Sequence, residues 1–138
     1  MIILSLDYGE RYVGVAVTDP DGQIALRHSF IDQTKQDALK EIILIVQNEK
    51  IGQVLVGVPV SLSGKQTDQS RSSIAFIEQL GIALGHDVII TNVDETFTSI
   101  EAERRLKAEG ADPLQAHAEA ARLMLEQHLK QQQVNSSN

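Results

Sequence analysis

Apolar and polar residues follow one another along the chain in a pattern that predicts strands first and helices later. Two apolar, β-branched stretches, residues 2–6 and 12–18, are separated by a short segment containing Gly9, which is typical of a β-hairpin. The turn sequence DPDG at 19–22 leads to a third apolar stretch, residues 24–30. The first part of the chain is therefore predicted to be a three-stranded antiparallel meander.

The rest of the chain alternates between helical and strand patterns. Apolar residues recur at helical spacing over residues 34–50 and again over residues 68–84. Continuous apolar runs at 54–58 and 88–93 predict strands that are buried on both faces. These segments are typical of βαβ crossovers, in which strands run parallel and helices cover the sheet.

Two further helices are predicted from their N-terminal signals. Thr98 and Glu101 form a capping box, and Asp112 followed by Pro113 is an N-cap with proline at the first helical position. The predicted order is β-β-β-α-β-α-β-α-α. This is the order of an α/β, ribonuclease H-like domain, with a mixed five-stranded sheet and helices on both faces.

Length and composition narrow the class of protein. The 138 residues suit a single domain over residues 1–130, followed by a low-complexity tail at 131–138 that is predicted to be disordered. The absence of cysteine excludes disulfides and thiolate ligands. No window approaches the roughly 20 apolar residues of a membrane span, and no basic leader is visible, so we expect a cytoplasmic protein.

The net charge of −7 argues against a simple polyanion-binding surface. Contacts to nucleic acid therefore have to come from a local basic patch and from bound cations. Five basic residues are candidates for phosphate contacts around an acidic centre: Arg11, Lys65, Arg71, Arg104 and Arg105. The alternative is that the segment at 57–65 is a plain crossover loop and that the two arginines after Thr98 lie on a solvated helix face.

Two acids end buried strands and are the candidates for chemistry. Asp7 ends the first predicted strand and Glu95 follows the last. Two carboxylates at strand ends can meet if the strands are neighbours, and a shared cation then offsets their repulsion. Oxygen ligands select Mg²⁺ or Mn²⁺, which can support phosphodiester hydrolysis. The alternative reading is that each acid merely opens a turn.

The last predicted helix carries His117 and Glu119. About 200° of helix rotation separates them, so they cannot both point into one site. His117 shares a face with Ala120, Ala121 and Met124, and it points toward the sheet if that face is the buried one. A single histidine on such a face is more often a satisfied core residue than a metal ligand.

Three motifs, LDYGERYVGVAVTD, VLVGVPVSLSGK and VDETFTSIEAERRL, occur in an order and spacing that resemble the YqgF family of pre-16S rRNA nucleases, also described as Holliday junction resolvase-like. The similarity extends from residue 2 to about residue 130. It implies a ribonuclease H-like fold and a metal-dependent nuclease that matures the 5′ end of 16S rRNA. It also implies that Asp7 and Glu95 bind Mg²⁺ or Mn²⁺.

Two departures from the family pattern bear on catalysis. Thr96 stands where the family usually has arginine, which removes a cation near the site. His117 stands where the last helix of the family usually has aspartate. Histidine can bind Mn²⁺ or act as a general base, but it brings no negative charge. We therefore assign His117 as the third catalytic residue, as ligand or base.

These observations predict a phosphodiesterase that acts on structured RNA or branched DNA, as a monomer or homodimer. Two alternatives stay open. A nucleic-acid-binding module of the same fold, with weak or no catalysis, agrees with the departures at Thr96 and His117. A nucleotide-binding domain agrees with a strand-end aspartate followed closely by glycine, but it needs a second lobe.

Overall fold

The computed structural model describes residues 1–58, 68–94, 106, 109, 110, 112 and 114–136. Within this part of the chain there are five strands and three α-helices. The strands are β1 (Ile3–Tyr8), β2 (Tyr12–Thr18), β3 (Ala25–Asp32), β4 (Gln53–Val58) and β5 (Ile89–Asp94). The helices are α1 (Ala38–Glu49), α2 (Asp68–Leu84) and α3 (Gln115–Ser136). None of these helices is long and apolar enough to span a membrane.

The five strands form one mixed sheet in the order β3-β2-β1-β4-β5. The pairs β1–β2 and β2–β3 are antiparallel, whereas β1–β4 and β4–β5 are parallel. The predicted meander, the two parallel additions and the fold class are confirmed. Because β4 lies between β1 and β5, the two strands that carry the candidate acids are not direct neighbours.

Local sequence signals explain where the elements start and stop. Gly9 closes the first hairpin, with its N–H donating to the carbonyl of Tyr12 at 3.0 Å. Gly22 has φ +72° in the predicted DPDG turn, and a carboxylate oxygen of Asp19 accepts two backbone N–H bonds across that turn. Gly85, with φ +71°, follows the last residue of α2 as predicted.

The boundaries of two helices differ from the prediction. The helix expected over 34–50 begins only at Ala38, because Asp37 caps it by accepting from the N–H of Lys40. At the other end of the chain, residues 131–136 continue α3, although a disordered tail was expected there. Glutamine has good helix propensity, and extending an existing helix needs no new nucleus.

The N-cap predicted for the last helix is confirmed. A carboxylate oxygen of Asp112 accepts from the N–H of Leu114 at 3.0 Å, and the N–H of Gln115 donates to the Asp112 carbonyl at 2.9 Å. Pro113 and the capping box predicted at Thr98 and Glu101 lie outside the described residues.

The sheet has a different apolar core on each face. Alternate residues of the central strands, such as Leu4, Leu6 and Val56, pack with α1 and α2 in the larger core. The opposite residues, such as Leu55, pack with Leu125 and other residues of α3 in the smaller core. We refer to these as the α1/α2 face and the α3 face.

Candidate active site

Asp7 lies near the C-terminal end of β1, the central strand of the sheet. Successive residues of a strand point to opposite faces, and Leu4 and Leu6 point to the α1/α2 face. Asp7 therefore points to the α3 face. The residues beside it on the two neighbouring strands are both glycines, Gly14 of β2 and Gly57 of β4. No side chain therefore stands next to the carboxylate on either neighbouring strand.

The carboxylate of Asp7 is partly buried and has no protein partner in the described part of the chain. Its oxygens are not among the buried atoms that lack a partner, so they are open to solvent. A cation supplied from solution would provide a partner. The donor type and the glycines on either side fit a hard divalent ion.

Gly14 also determines how closely α3 approaches the sheet. A Cβ atom at this position would lie 1.8 Å from the carbonyl oxygen of His117, which no side chain can tolerate. The backbone of the first turn of α3 therefore rests directly on β2, one strand away from Asp7. This contact brings His117 to the same face of the sheet as the acid.

The imidazole of His117 is held by an aromatic cluster on that face. It stacks on the ring of Tyr12, with centroids 4.7 Å apart and an interplanar angle of 28°. The rings of Phe30 and Tyr12 are nearly perpendicular, with their centroids 5.8 Å apart, and the guanidinium carbon of Arg11 lies 5.0 Å from the centroid of the Tyr12 ring. No hydrogen bond or ion pair joins His117 to Asp7 among the described residues.

Arg11, a predicted phosphate contact, is already paired with an acid. Its guanidinium donates to both carboxylate oxygens of Asp32, at 3.4 and 3.3 Å. The hydroxyl of Thr34 donates to the same carboxylate at 2.7 Å, and this bond together with Arg11 lowers the pKa of Asp32 to about 2. The side chain of Arg11 remains 56% exposed, so it lies on the rim with its charge largely balanced.

Glu119 is not available as a replacement for the missing third acid. Its side chain is 1% exposed and forms an ion pair with Arg122, which also pairs with Glu126. These acids raise the pKa of Arg122, with the hydrogen bond to Glu119 as the main cause. Both Glu119 and His117 lie in α3, so about 200° of helix rotation separates them.

The remaining predicted site residues fall into two groups. Arg71 is exposed in the first turn of α2, the helix that covers the opposite face from Asp7. The others lie outside the described residues: Glu95, Lys65, Arg104 and Arg105. The structure thus brings Asp7 and His117 to one face, and β5 ends one residue before Glu95. Within the described residues, no group of three acids or histidines is arranged to hold a metal.

Two contributors to this geometry were missed in the sequence. Gly14 interrupts the β-branched strand YVGVAVT, and a glycine inside a strand is a known signal of close backbone approach. Tyr12 carried no comparable signal, because its stacking partner lies in the last helix. The ion pair between Arg11 and Asp32 likewise joins a turn to the end of a strand and has no short-range pattern.

A family model described as RuvX, Holliday junction resolvase, matches residues 1–131. The chain belongs to the RuvX family. This confirms the family that the motifs predict and the ribonuclease H-like fold expected from the element order.

Three curated relatives carry the name "Putative pre-16S rRNA nuclease". The protein from Maridesulfovibrio salexigens is 38% identical over 80% of this RuvX chain and 81% of its own length. The protein from Chloroflexus aurantiacus is 33% identical over 97% and 90% of the two chains. That from Trichormus variabilis is 35% identical over 98% and 91%.

Among solved structures, RuvC from Thermus thermophilus superposes on this RuvX chain with a TM-score of 0.59 at 13% sequence identity. The same protein in complex with a Holliday junction substrate gives a TM-score of 0.57 at 14% identity. Each match covers 96% of both chains, and at this identity it shows the fold alone. The family match and the names of the relatives place the chain among nucleases, which are hydrolases of phosphodiester bonds.

Proposed function

We propose that this RuvX protein is a metal-dependent endonuclease that cleaves the leader at the 5′ end of pre-16S rRNA. The observation that carries the proposal is the carboxylate of Asp7, which lies between two glycines, on the same face as His117 and without a partner among the described residues. The choice of substrate is supported by the names of the relatives. The protein is proposed to act in the cytoplasm, as a monomer or homodimer.

Asp7 and Glu95 are the proposed ligands for Mg²⁺ or Mn²⁺. Both supply hard oxygen donors. Asp7 lies in β1, Glu95 is the next residue in sequence after β5, and the C-terminal ends of these two strands open at the same edge of the sheet. A divalent cation bound there activates water and stabilises the charge on the leaving oxygen. His117 is the proposed third residue. As a neutral imidazole it can accept a proton from water or add a nitrogen ligand.

The phosphate contacts are proposed to come from Arg11 and Arg71 among the described residues and from Lys65, Arg104 and Arg105 outside them. With a net charge of −7, the protein has no general attraction for RNA. Binding therefore depends on this local set of cations and on the metal. We expect the affinity for RNA to fall steeply as the salt concentration rises.

Cleavage of a synthetic pre-16S leader fragment in Mn²⁺ tests the catalytic assignment. We expect Asp7→Asn to reduce the rate by on the order of a hundredfold to a thousandfold, because metal stabilisation of the transition state contributes several kcal/mol. Asp21→Asn is the matched control, since it makes the same chemical change at an exposed turn position. Equal rates for the wild type and Asp7→Asn would refute the assignment.

Mn²⁺ binding followed by electron paramagnetic resonance gives a readout that does not depend on activity. Asp7→Asn should weaken binding and Asp21→Asn should leave it unchanged. A four-way DNA junction, offered in place of the RNA, tests the resolvase description of the family. Preferential cutting of the junction would replace RNA by branched DNA as the substrate.

His117 decides between an efficient enzyme and a binding module. If His117 is a ligand or base, His117→Ala lowers the metal-dependent rate, and His117→Asp keeps it. If the wild type binds the leader without metal-stimulated turnover and His117→Asp creates turnover, the protein is a binding module that has lost its third acid.

A further inference from the structure

A second concave site lies on the α3 face, between β5 and α3. It is a cleft of about 350 Å³. Six of the residues that line it are used below: Thr91, Val93, Met124, Gln127, His128 and Gln131. We call it the β5 cleft. None of these residues belongs to the proposed catalytic set.

The β5 cleft lies close to Asp7 on the same face of the sheet. Val93 pairs with Gly57 of β4, and Gly57 pairs with Asp7 of β1, so the three residues form one row across the strands. Neighbouring strands are about 4.8 Å apart, which puts the backbone of Val93 about 10 Å from that of Asp7. A nucleic-acid strand whose phosphate reaches Asp7 passes the mouth of the cleft.

The described side chains that line the cleft are neutral hydrogen-bonding groups and apolar groups. Gln127 and Gln131 contribute amides, and Thr91 contributes a hydroxyl that accepts from the amide of Gln53 at 3.1 Å. Val93 and Met124 supply the apolar part. No lysine, arginine or carboxylate is among these residues, so the lining suits neither a phosphate nor a metal cation.

His128 provides an unsatisfied group at this site. Its Nε2 atom is shielded from solvent and has no hydrogen-bond partner in the described part of the chain. Burial also lowers the pKa of His128, which keeps the ring neutral at physiological pH. A neutral imidazole offers one donor and one acceptor nitrogen. A buried polar atom without a partner is costly, so this wall of the cleft departs from the usual rule of polar satisfaction.

We propose that the β5 cleft binds one unpaired base of the RNA strand, next to the phosphodiester bond that is cut at Asp7. A base presents neutral donors and acceptors at its edge and an apolar face, which matches the amides, the hydroxyl and the apolar residues of the cleft. Recognition of unstacked bases by such groups is the usual route to sequence preference in RNA binding. This proposal rests on the proposed function and adds a determinant of where the leader is cut.

Binding of a short, fluorescently labelled single-stranded RNA tests the cleft. It is measured by anisotropy in Ca²⁺, a hard cation that takes the same oxygen ligands without the octahedral geometry of Mg²⁺, so that a cation is present while cleavage is suppressed. We expect Gln131→Ala to weaken binding about fivefold, which is the value of one hydrogen bond. Gln132→Ala is the matched control, because it makes the same change at the next exposed position of α3, about 100° away around the helix. Thr91→Val is a second variant that removes a hydrogen-bonding group with little change of shape.

A base scan of the RNA gives an independent readout. One base at a time is replaced by an abasic residue, and the wild type should lose about fivefold in affinity at a single position. The same abasic RNA should show no further loss with Gln131→Ala, because both changes remove the same contact. A flat scan, or equal affinities for Gln131→Ala and Gln132→Ala, overturns the proposal. If no variant and no wild type binds RNA at all, the proposed function itself fails.

Discussion

The two faces of the sheet are built from the same strands but differ in how they are packed. On the α1/α2 face, side chains such as Leu4, Leu6 and Leu80 are completely buried in the larger apolar core. The α3 face has a smaller core, and the strand positions beside Asp7 are glycines. Both side-chain atoms that are buried without a partner in the described residues, Ser5 Oγ and His128 Nε2, belong to the α3 face.

This difference shows how a small domain separates stability from chemistry. The α1/α2 face follows the usual rules for packing and polar satisfaction. The α3 face departs from them at a carboxylate, at two glycines and at a cleft, and such departures are typical of functional sites. Single substitutions on the two faces should therefore change different measurable quantities.

The largest expected difference in unfolding free energy is between substitutions at Leu6 and at Asp7, which are adjacent in β1 and point to opposite faces of the sheet. Leu6→Ala should cost about 2–5 kcal/mol of unfolding free energy, because it opens a cavity in the larger core. Asp7→Asn should leave the unfolding free energy unchanged or raise it, because it removes a charge that no group in the described part of the chain compensates. Urea unfolding measures both. A loss of stability in Asp7→Asn equal to that in Leu6→Ala would contradict the separation of roles.

Glycine-to-alanine changes on the two faces should change the free energy of unfolding in opposite directions. Gly14→Ala forces the first turn of α3 away from β2 and should cost about 1–3 kcal/mol, with loss of turnover. Gly81→Ala, in α2, places a Cβ 3.7 Å from Ile90 and should stabilise the protein by about 0.5–1 kcal/mol. Melting temperatures and leader cleavage test the pair. If Gly14→Ala unfolds and cuts like the wild type, α3 is not in close backbone contact with β2.

Loss of the stacking between His117 and Tyr12 should lower the unfolding free energy by a smaller amount, and the structural change should be confined to the α3 face. Tyr12→Phe keeps the stacked ring, whereas Tyr12→Leu removes about 0.5–1.5 kcal/mol of ring-pair stabilisation. We expect the imidazole resonances of His117 to shift in Tyr12→Leu and to stay in place in Tyr12→Phe, as followed by NMR. Identical spectra for the two variants would show that the stack does not hold the ring.

The last prediction is the pH dependence contributed by Asp32. Its pKa is lowered to about 2 in the folded protein by Thr34 and Arg11, whereas it is about 3.9 in an unfolded chain. Its contribution to stability is therefore complete only above about pH 5 and is lost progressively as the pH falls through about 3.9 toward 2. Asp32→Asn should be less stable than the wild type at pH 7, and the difference should shrink at acidic pH. A difference that is constant from pH 7 to pH 2 would contradict this.

Most of the fold could be predicted because its signals are local. Alternating or continuous apolar runs gave the strands, glycine and the DPDG turn gave the reversals, and Asp112 gave the start of the last helix. Asp7 and His117 could be named as candidates because strand ends and helix faces can be read from spacing. That both reach the α3 face depends on strand order and on the closeness of Gly14 to α3, and both are long-range properties.

Other features of the α3 face had no sequence signal. Tyr12 and His117, which stack on each other, come from distant segments of the chain. The ion pair between Arg11 and Asp32 joins the turn after β1 to the end of β3. The β5 cleft lies where α3 crosses the sheet without covering the edge strand β5. The hydrophobic periodicity of a helix does not predict where that helix crosses a sheet. The continuation of α3 through residues 131–136 was also not predicted. The low complexity of this segment suggested disorder, whereas its glutamines are compatible with a helix.

The close contact between His117 and Gly14 also has a consequence for the order in which the protein matures. Asp7 precedes His117, in the helix that contacts Gly14, by 110 residues in the chain. Since chains grow from the N-terminus, an incomplete chain can form the hairpin but cannot bring the histidine to the face of the acid. If His117 acts as proposed, cleavage therefore requires that α3 has first docked on β2.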